Sequence, residues 1–465
     1  TMFLNIESIE RKKTAIHDDS GTQLTYGELC DFISEMEALQ LPRSIVFCLC
    51  ENTAGILAGI AAFESIRVVP LLLSASIDAS LLEELDAMYT PHYYWIPETQ
   101  KERLKGEVIF SGYGCCLVKT GYEVYPVHDR LALLMTTSGS TGSPKLVRYK
   151  YGNLEANARN VAAVFGWTSS ENCIMDLPVQ YTMGLNVINS HLIVGATVLL
   201  IKNNLMSPEF WSFIKENHGT NFTGVPYSYE IMMKLKFTRM VLPDLRTLSE
   251  GGGKLTDDMF KALAEYAEKA GKRFCATFGT TETSARMAYL PPEMARLKTG
   301  SIGKAIPEGE LFLLDVNGNE IEEPEAQGEL GYRGPNVTMG YGICREDLLK
   351  GDEWDGEYHT GDIAKRDLEG YYFIIGRKKR FLKLFGLRIS LDQSERIIKE
   401  KFNCECACTG DDDKMRIYIV DGALKDQIPG YLAEKLNLNA SAFEVTVIAK
   451  LPKNESGKIL YKDLH

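Results

Sequence analysis

Strand-length apolar runs alternate with helix-spaced segments along most of the chain, and this alternation limits its fold more than any other feature. Residues 44–49 and 68–73 are short and apolar, while 54–63 between them is small and apolar, as in a helix lying on a sheet. Nearer the start, Leu29, Phe32, Ile33, Met36 and Leu39 recur at helical spacing. Thr25, with Glu28 three residues on, predicts a capping box ahead of them. The pattern continues with a helix over 154–165, strands over 173–177, 194–200 and 221–225, a helix over 258–270 and a strand running into Phe278. Such alternation predicts an α/β fold with a largely parallel sheet. From 311 to 375 the rhythm shortens to β-like runs separated at Asn317-Gly318, Gly328 and Glu369-Gly370. Beyond 376 lies a short α/β unit, with helices over 393–401 and 428–436 and strands over 416–420 and 443–448.

A chain of 465 residues exceeds one core and predicts two or three domains. The net charge of −12 argues against general nucleic-acid binding. From Arg377 onward the balance reverses, to 17 Lys+Arg against 13 Asp+Glu, which marks this end as one that meets something anionic. No apolar run reaches the ~20 residues of a membrane span, and no apolar core follows a basic flank at the start, so neither span nor secretory leader is read. Eleven cysteines include Cys404-x-Cys406-x-Cys408, whose one-residue gaps are not those of zinc sites. They read as reduced structural thiols, and hence as a cytoplasmic chain.

Three polar loops follow predicted strands. Thr136 to Lys145 holds six hydroxyls, two glycines and a closing lysine after the apolar run 131–135. Glycine lets backbone approach a ligand, and hydroxyls, backbone N–H groups and a lysine suit polyphosphate. The spacing is not that of a P-loop, and Ser/Thr/Gly clusters are equally the composition of plain surface loops. Gly251, Gly252 and Gly253 close a second strand, and Gly279-Thr280-Thr281-Glu282 follows a third. In open α/β sheets ligands bind beyond the carboxyl ends of strands, so the three loops converge on one site.

With these loops the chain resembles the adenylate-forming superfamily: acyl-CoA synthetases, firefly-type luciferases and peptide-synthetase adenylation domains. Six segments match in order. They are the loop 136–145, Phe278-Gly279-Thr280-Thr281-Glu282, Gly328-Glu329-Leu330 with Gly340-Tyr341, Tyr358-His359-Thr360-Gly361-Asp362, Gly376-Arg377 with Lys383, Gly386 and Arg388, and Pro452 to Lys458. The resemblance implies an N-terminal domain over 1–375, of stacked α/β sheets plus a small β-barrel-like section. A hinge over 376–380 with Lys379 at its centre and a small mobile C-terminal α+β lid over 381–465 follow. It implies ATP-dependent activation of a small carboxylic acid to an acyl-adenylate with Mg²⁺, then transfer to CoA or to the phosphopantetheine of an acyl or peptidyl carrier protein.

Site roles follow from the same resemblance. Ser138, Gly139, Ser140, Thr141, Gly142 and Lys145 would hold the β- and γ-phosphates, and Thr281, with Gly279 and Thr280, the α-phosphate. Glu282 would bind Mg²⁺, Phe278 would stack on adenine, and Asp362 and Arg377 would meet the ribose. Lys458 would reach in from the lid to the reacting carboxylate. Tyr181, Val225, Tyr227, Thr277 and the three glycines would line the acyl pocket, the glycines leaving room and the two tyrosines shortening it. Arg286 reads as a surface ion-pair residue, with a second acidic group on the substrate as its alternative. Arg380 and Lys383 read as docking contacts for the acyl acceptor. The stretch 178–185 has no acid to meet an α-ammonium, which turns the reading away from amino acids. Amino-acid loading and a non-catalytic nucleotide-binding protein are the alternatives. Ser390 to Glu395 departs from the superfamily's usual Gly-Glu-Ile-Glu.

Overall fold

Period-2 strands and 3.6-period helices sort into layers because each must bury an apolar face. The computed structural model describes residues 1–137, 145–385, 387–411, 414–454 and 457–465. One eight-stranded sheet has a parallel centre, Leu131–Thr136, Val69–Ser74, Ile45–Cys50 and Tyr93–Pro97, with antiparallel strands at its edges. A nine-stranded sheet has a parallel run through Thr14–Asp18, Thr197–Leu200, Asn172–Met175, Asn221–Gly224, Thr247–Glu250 and Arg273–Phe278. Helices Tyr26–Ala38, Ala54–Ile66 and Thr182–Leu192 share one core with strands of both sheets. The two sheets thus stack around common helices.

The local signals act where expected. Thr25 accepts from the Glu28 N–H while Glu28 accepts from the Thr25 N–H, so two orphan donors at the helix start are satisfied. The predicted strand over 194–200 begins only at Thr197, because Gly195, at φ +75°, still belongs to the turn after the preceding helix. Gly328 is not a break. It lies inside the strand Ala326–Arg333, where a Cβ would stand 2.3 Å from the Leu314 carbonyl oxygen.

The section expected to be barrel-like is a four-stranded antiparallel sheet, in the order Glu310–Leu314, Ala326–Arg333, Glu357–Arg366, Tyr372–Arg377, and among the described residues its first and last strands do not pair. After it, Cys406–Gly410, Met415–Ile419 and Phe443–Val447 form a small sheet covered by helices Leu391–Phe402 and Ile428–Leu436. Cys406 and Cys408 pack as small apolar groups in this core, with Cys404 partly buried against it. Among the described residues no helix is long and apolar enough to cross a membrane.

Candidate active site

The strand Arg273–Phe278 sets the geometry by ending in a loop that only glycine can begin. A Cβ on Gly279 would lie 1.2 Å from the Ala285 carbonyl oxygen. The loop folds back at once, with the Met287 N–H donating to the Phe278 carbonyl at 2.8 Å, and Thr281–Thr283 makes one 3-10 turn. Thr280 and Thr283 hydroxyls meet across that turn at 3.1 Å. From outside, the Thr338 N–H and hydroxyl both donate to the Glu282 carbonyl, and Asn336 donates to the carbonyls of Thr283 and Arg286. Ala285 carries φ +123°, a conformation costly for a side-chain-bearing residue and held here by these bonds. Thr281 and Glu282 are therefore presented on a rigid loop.

Tyr341 connects this loop to Lys145. Its hydroxyl donates to Glu282 Oε1 at 2.9 Å, and the Lys145 ammonium stands 3.9 Å from its ring centroid. The antiparallel pairing of Tyr341 with Val147 places the ring beside Lys145. A second phenol, Tyr149, is buried and donates to the Thr281 carbonyl at 2.7 Å while sharing a 2.9 Å bond with the Thr182 hydroxyl. Nothing in the sequence marks Tyr149, since a Tyr in an apolar strand is more often plain core. Ser138, Gly139, Ser140, Thr141 and Gly142 lie outside the described residues.

Asp362 and Arg377 face each other across the ladder between Glu357–Arg366 and Tyr372–Arg377, and Arg377 Nη1 donates to Asp362 Oδ1 at 2.8 Å. Burial raises the Asp362 carboxyl above the ordinary range, against the pull of the guanidinium. Arg377 itself remains 54% exposed. Lys458 arrives from the far end of the chain. The tight turn that carries it is closed by the Lys458 N–H on Asn454 Oδ1 at 2.9 Å, and a Cβ on Gly457 would stand 3.5 Å from Tyr227. Burial by the surrounding lobes and the nearby Arg377 lower the Lys458 pKa, while Glu282 and Asp362 oppose the shift. Its amine thus shares one electrostatic field with Glu282, Asp362 and Arg377 although it still meets solvent. Glu282 is thus linked to Lys145 through Tyr341, and to Asp362, Arg377 and Lys458 through the field they share.

The acyl-pocket residues divide. Gly251 packs where a Cβ would lie 2.8 Å from both Met183 Sδ and Thr277 Oγ1, Gly252 needs its φ of +74°, and Gly253 abuts Pro226. The glycines permit close packing here; the space beside Gly251 and Gly253 is filled by neighbours. Val225 and Thr277 lie at this strand-end layer. Tyr181 is the N-cap of helix Thr182–Leu192. Tyr227 does not shorten the pocket: it is half exposed and its ring faces Gly457 and Lys453 of the C-terminal segment. Arg286 is no surface residue either, being 3% exposed within the nine-stranded sheet's core.

Lys379 is exposed between two anchored neighbours. Lys378 bonds to Glu329 and the Gly361 carbonyl of the four-stranded antiparallel sheet. Arg380 is bound on the C-terminal side, pairing with Asp392 and Glu395 and donating to the Cys408 carbonyl and the Tyr461 hydroxyl. With 17% of its side chain exposed, Arg380 belongs to an internal network and not to a docking surface.

The family model described as AMP-binding enzyme matches residues 72–342, more than half the chain. The chain belongs to this family. Oxalate–CoA ligase of Arabidopsis thaliana is 32% identical over 279 residues, covering 59% of this chain and 53% of that protein. The chain thus spans about half the length of that relative. 2-Succinylbenzoate–CoA ligase of Bacillus subtilis is 28% identical over 350 residues, 74% of this chain and 70% of the relative. The fold matches O-succinylbenzoate coenzyme A synthetase of Bacillus subtilis in complex with AMP, with a TM-score of 0.80 at 22% identity over 99% of this chain and 97% of that one. ATP-bound MatB of Rhodopseudomonas palustris matches equally, with a TM-score of 0.80 at 20% identity over 99% and 96%. The adenylate-forming resemblance, its stacked α/β sheets and its small C-terminal unit therefore hold for this AMP-binding enzyme.

Proposed function

We propose that this chain activates a small carboxylic acid with ATP and passes the acyl group to the thiol of CoA. The observation that carries the reading is the meeting of Lys458 with Glu282, Asp362 and Arg377, residues from opposite ends of the chain. A carboxylate attacking the α-phosphorus of ATP brings two anions together. Fixed cations offset that repulsion and stabilise the charge that develops on the phosphoryl oxygens. In the first step a carboxylate oxygen bonds to the α-phosphorus, the bond from that phosphorus to the bridging oxygen breaks, and pyrophosphate leaves. In the second, the thiol sulfur attacks the acyl carbon, loses its proton, and AMP leaves.

The roles proposed for the residues follow their placement. Lys145 and the loop before it hold the outer phosphates, Thr281 the α-phosphate, and Lys458 the reacting carboxylate. Phe278 offers the adenine a face, and Asp362 accepts from the ribose while Arg377 steadies it. Glu282 presents a carboxylate oriented by Tyr341, an acceptor suited to a hard cation; Mg²⁺ held there would neutralise phosphate charge. A large lobe over 1–375, a hinge at 376–380 and a lid over 381–465 fit the anchoring of Lys378 and Arg380 to opposite lobes with Lys379 between them. The ligases named among its relatives favour CoA over a carrier protein. Removal of Arg380 from the exposed basic surface weakens the carrier reading further. The test is acid-dependent ATP–pyrophosphate exchange followed by thioester formation with CoA. Lys458→Ala should abolish exchange and leave ATP binding, measured separately, within a few-fold of wild type; undiminished exchange would refute the reading.

A further inference from the structure

Below the strand-end layer of the proposed acyl pocket lies a cation, Arg286, that has no carboxylate within 4.0 Å among the described residues, the buried Glu250 acting on it only from farther off. Successive same-face residues of a strand are two apart, and that step is about 7 Å. Ser249, Cys275 and Thr223 stand one step below Gly251, Thr277 and Val225, and they are in register with one another across the sheet. Arg286 Nη2 lies 3.4 Å from both the Thr223 and Ser249 hydroxyls, which bond each other at 2.7 Å. Its guanidinium stands 5.0 Å from the Phe165 ring centroid, and its Nε has no partner among the described residues.

Arg148 shows what a satisfied buried arginine looks like in the same molecule. It is 0% exposed, donates to the carbonyls of Met339, Tyr341, Lys350 and Gly351, and pairs with Glu353 at 2.6 Å. Arg286 has two long hydroxyl contacts in place of all this, and no carboxylate among the described residues within 4.0 Å. Unsatisfied groups gather beside it. Asn157 Oδ1 takes both the Arg286 N–H and Asn186 Nδ2, while Asn186 Oδ1 is buried without a partner. Asn189, one helical turn beyond, has neither side-chain atom paired. Burial lowers the Arg286 pKa to about 10, with Cys275, Cys173, Tyr229 and Glu250 opposing, so it stays charged at neutral pH. A buried charge left this way is strongly destabilising unless something anionic completes it.

We propose that Arg286 is the floor of the acyl pocket and binds a second carboxylate, so the acid activated here is a dicarboxylate whose two groups stand about one strand step, ~7 Å, apart. This rests on the acyl-adenylating reading above. Wild-type enzyme is assayed by ATP–pyrophosphate exchange with symmetrical aliphatic and aromatic dicarboxylic acids, each beside its own monomethyl ester. The best diacid should exceed its ester by about 100-fold in kcat/KM, the scale of discrimination for a buried charge pair. Parity in every pair, or preference for the ester, overturns the proposal without any variant. Arg286→Met should bring the ratio close to unity and Arg286→Lys should keep part of it. An unchanged ratio in Arg286→Met, at a melting temperature near wild type, overturns it as well. Exchange confined to monocarboxylic acids removes the floor and keeps the ligase. Absence of exchange with every acid removes the ligase reading and the floor with it.

Discussion

The two ends of the proposed acyl site hold their cations in opposite ways. At the mouth, Arg377 is 54% exposed and pairs with a buried aspartate, and Lys458 reaches the same cleft from a turn that still meets solvent. At the proposed floor, Arg286 is 3% exposed, with two hydroxyls and an aromatic ring beside its guanidinium and the buried Glu250 carboxyl acting on it from beyond ion-pair distance. The mouth is built from short polar motifs on loops and strand ends, with charged side chains that reach solvent. The floor is built from single residues on separate strands and helices, brought together only by the stacking of the sheet. The contrast implies that catalysis and selectivity can be damaged separately, and the largest effect belongs to the mouth. Lys458→Ala should lower exchange by about 10³-fold or more, in the range for losing a preorganised charge at a reacting oxyanion. Its lowered pKa adds a sign: the charged amine is lost as pH rises through that lowered value, so the alkaline limb of exchange begins below the ordinary lysine range. Lys458→Arg should move that limb upward if any activity survives.

Arg380→Gln tests the contrast from the side of stability. Asp392 and Glu395 lose their cation, and Glu395 is held in the small core together with Tyr461 and the Cys408 N–H. Breaking a buried pair from one side costs about 3–5 kcal/mol. Thermal melting should show the small unit destabilised, and adenylation and thioester formation should fall together. Selective loss of thioester formation in a variant of wild-type stability would return Arg380 to a docking role.

How much of this was legible depends on the range of the interaction that decides each residue. The capping box at Thr25 and the helix Ile428–Leu436 stand where local spacing puts them. Helix Thr182–Leu192 is hidden because Asn186, Asn189, Ser190 and His191 are buried polar residues that interrupt its apolar stripe. Lys145, Glu282, Asp362 and Arg377 were readable as motif residues because each sits in a short run of consecutive positions, the first two in loops at strand ends and the last two on paired strands. Arg286 was misplaced because arginine is mostly a surface residue and nothing within four positions signals that this one is buried. Tyr227 was misplaced for the opposite reason. An aromatic at a strand end suggests a pocket wall, but only the docked C-terminal turn reveals that it faces Gly457.

Asp176 follows the last residue of strand Asn172–Met175, and burial raises its carboxyl to about 7. Its Oδ1 has no partner among the described residues. A carboxyl raised on folding binds more protons folded than unfolded, so its contribution to stability falls as pH rises between 3.8 and about 7. The slope for one such proton is about 1.4 kcal/mol per pH unit. Asp176→Asn should therefore gain on wild type in denaturant melts as pH climbs through that window. A constant difference across it would mean the carboxyl is not held protonated.

The smallest expected effect concerns the neutral link at the mouth. Tyr341→Phe keeps the ring beside Lys145 and removes only the hydroxyl on Glu282, a bond of about 1 kcal/mol. If Glu282 is oriented by that bond to receive Mg²⁺, exchange should need several-fold more Mg²⁺ for half-maximal rate, while preference among acids stays as in wild type. The Arg286 guanidinium shares no hydrogen-bond partner with the Tyr341 hydroxyl, so the two effects should add. A change in acid preference in Tyr341→Phe would mean that mouth and floor are coupled through the loop from Gly279 to Arg286. The separation between catalysis and selectivity would then fail at the one segment that carries residues of both.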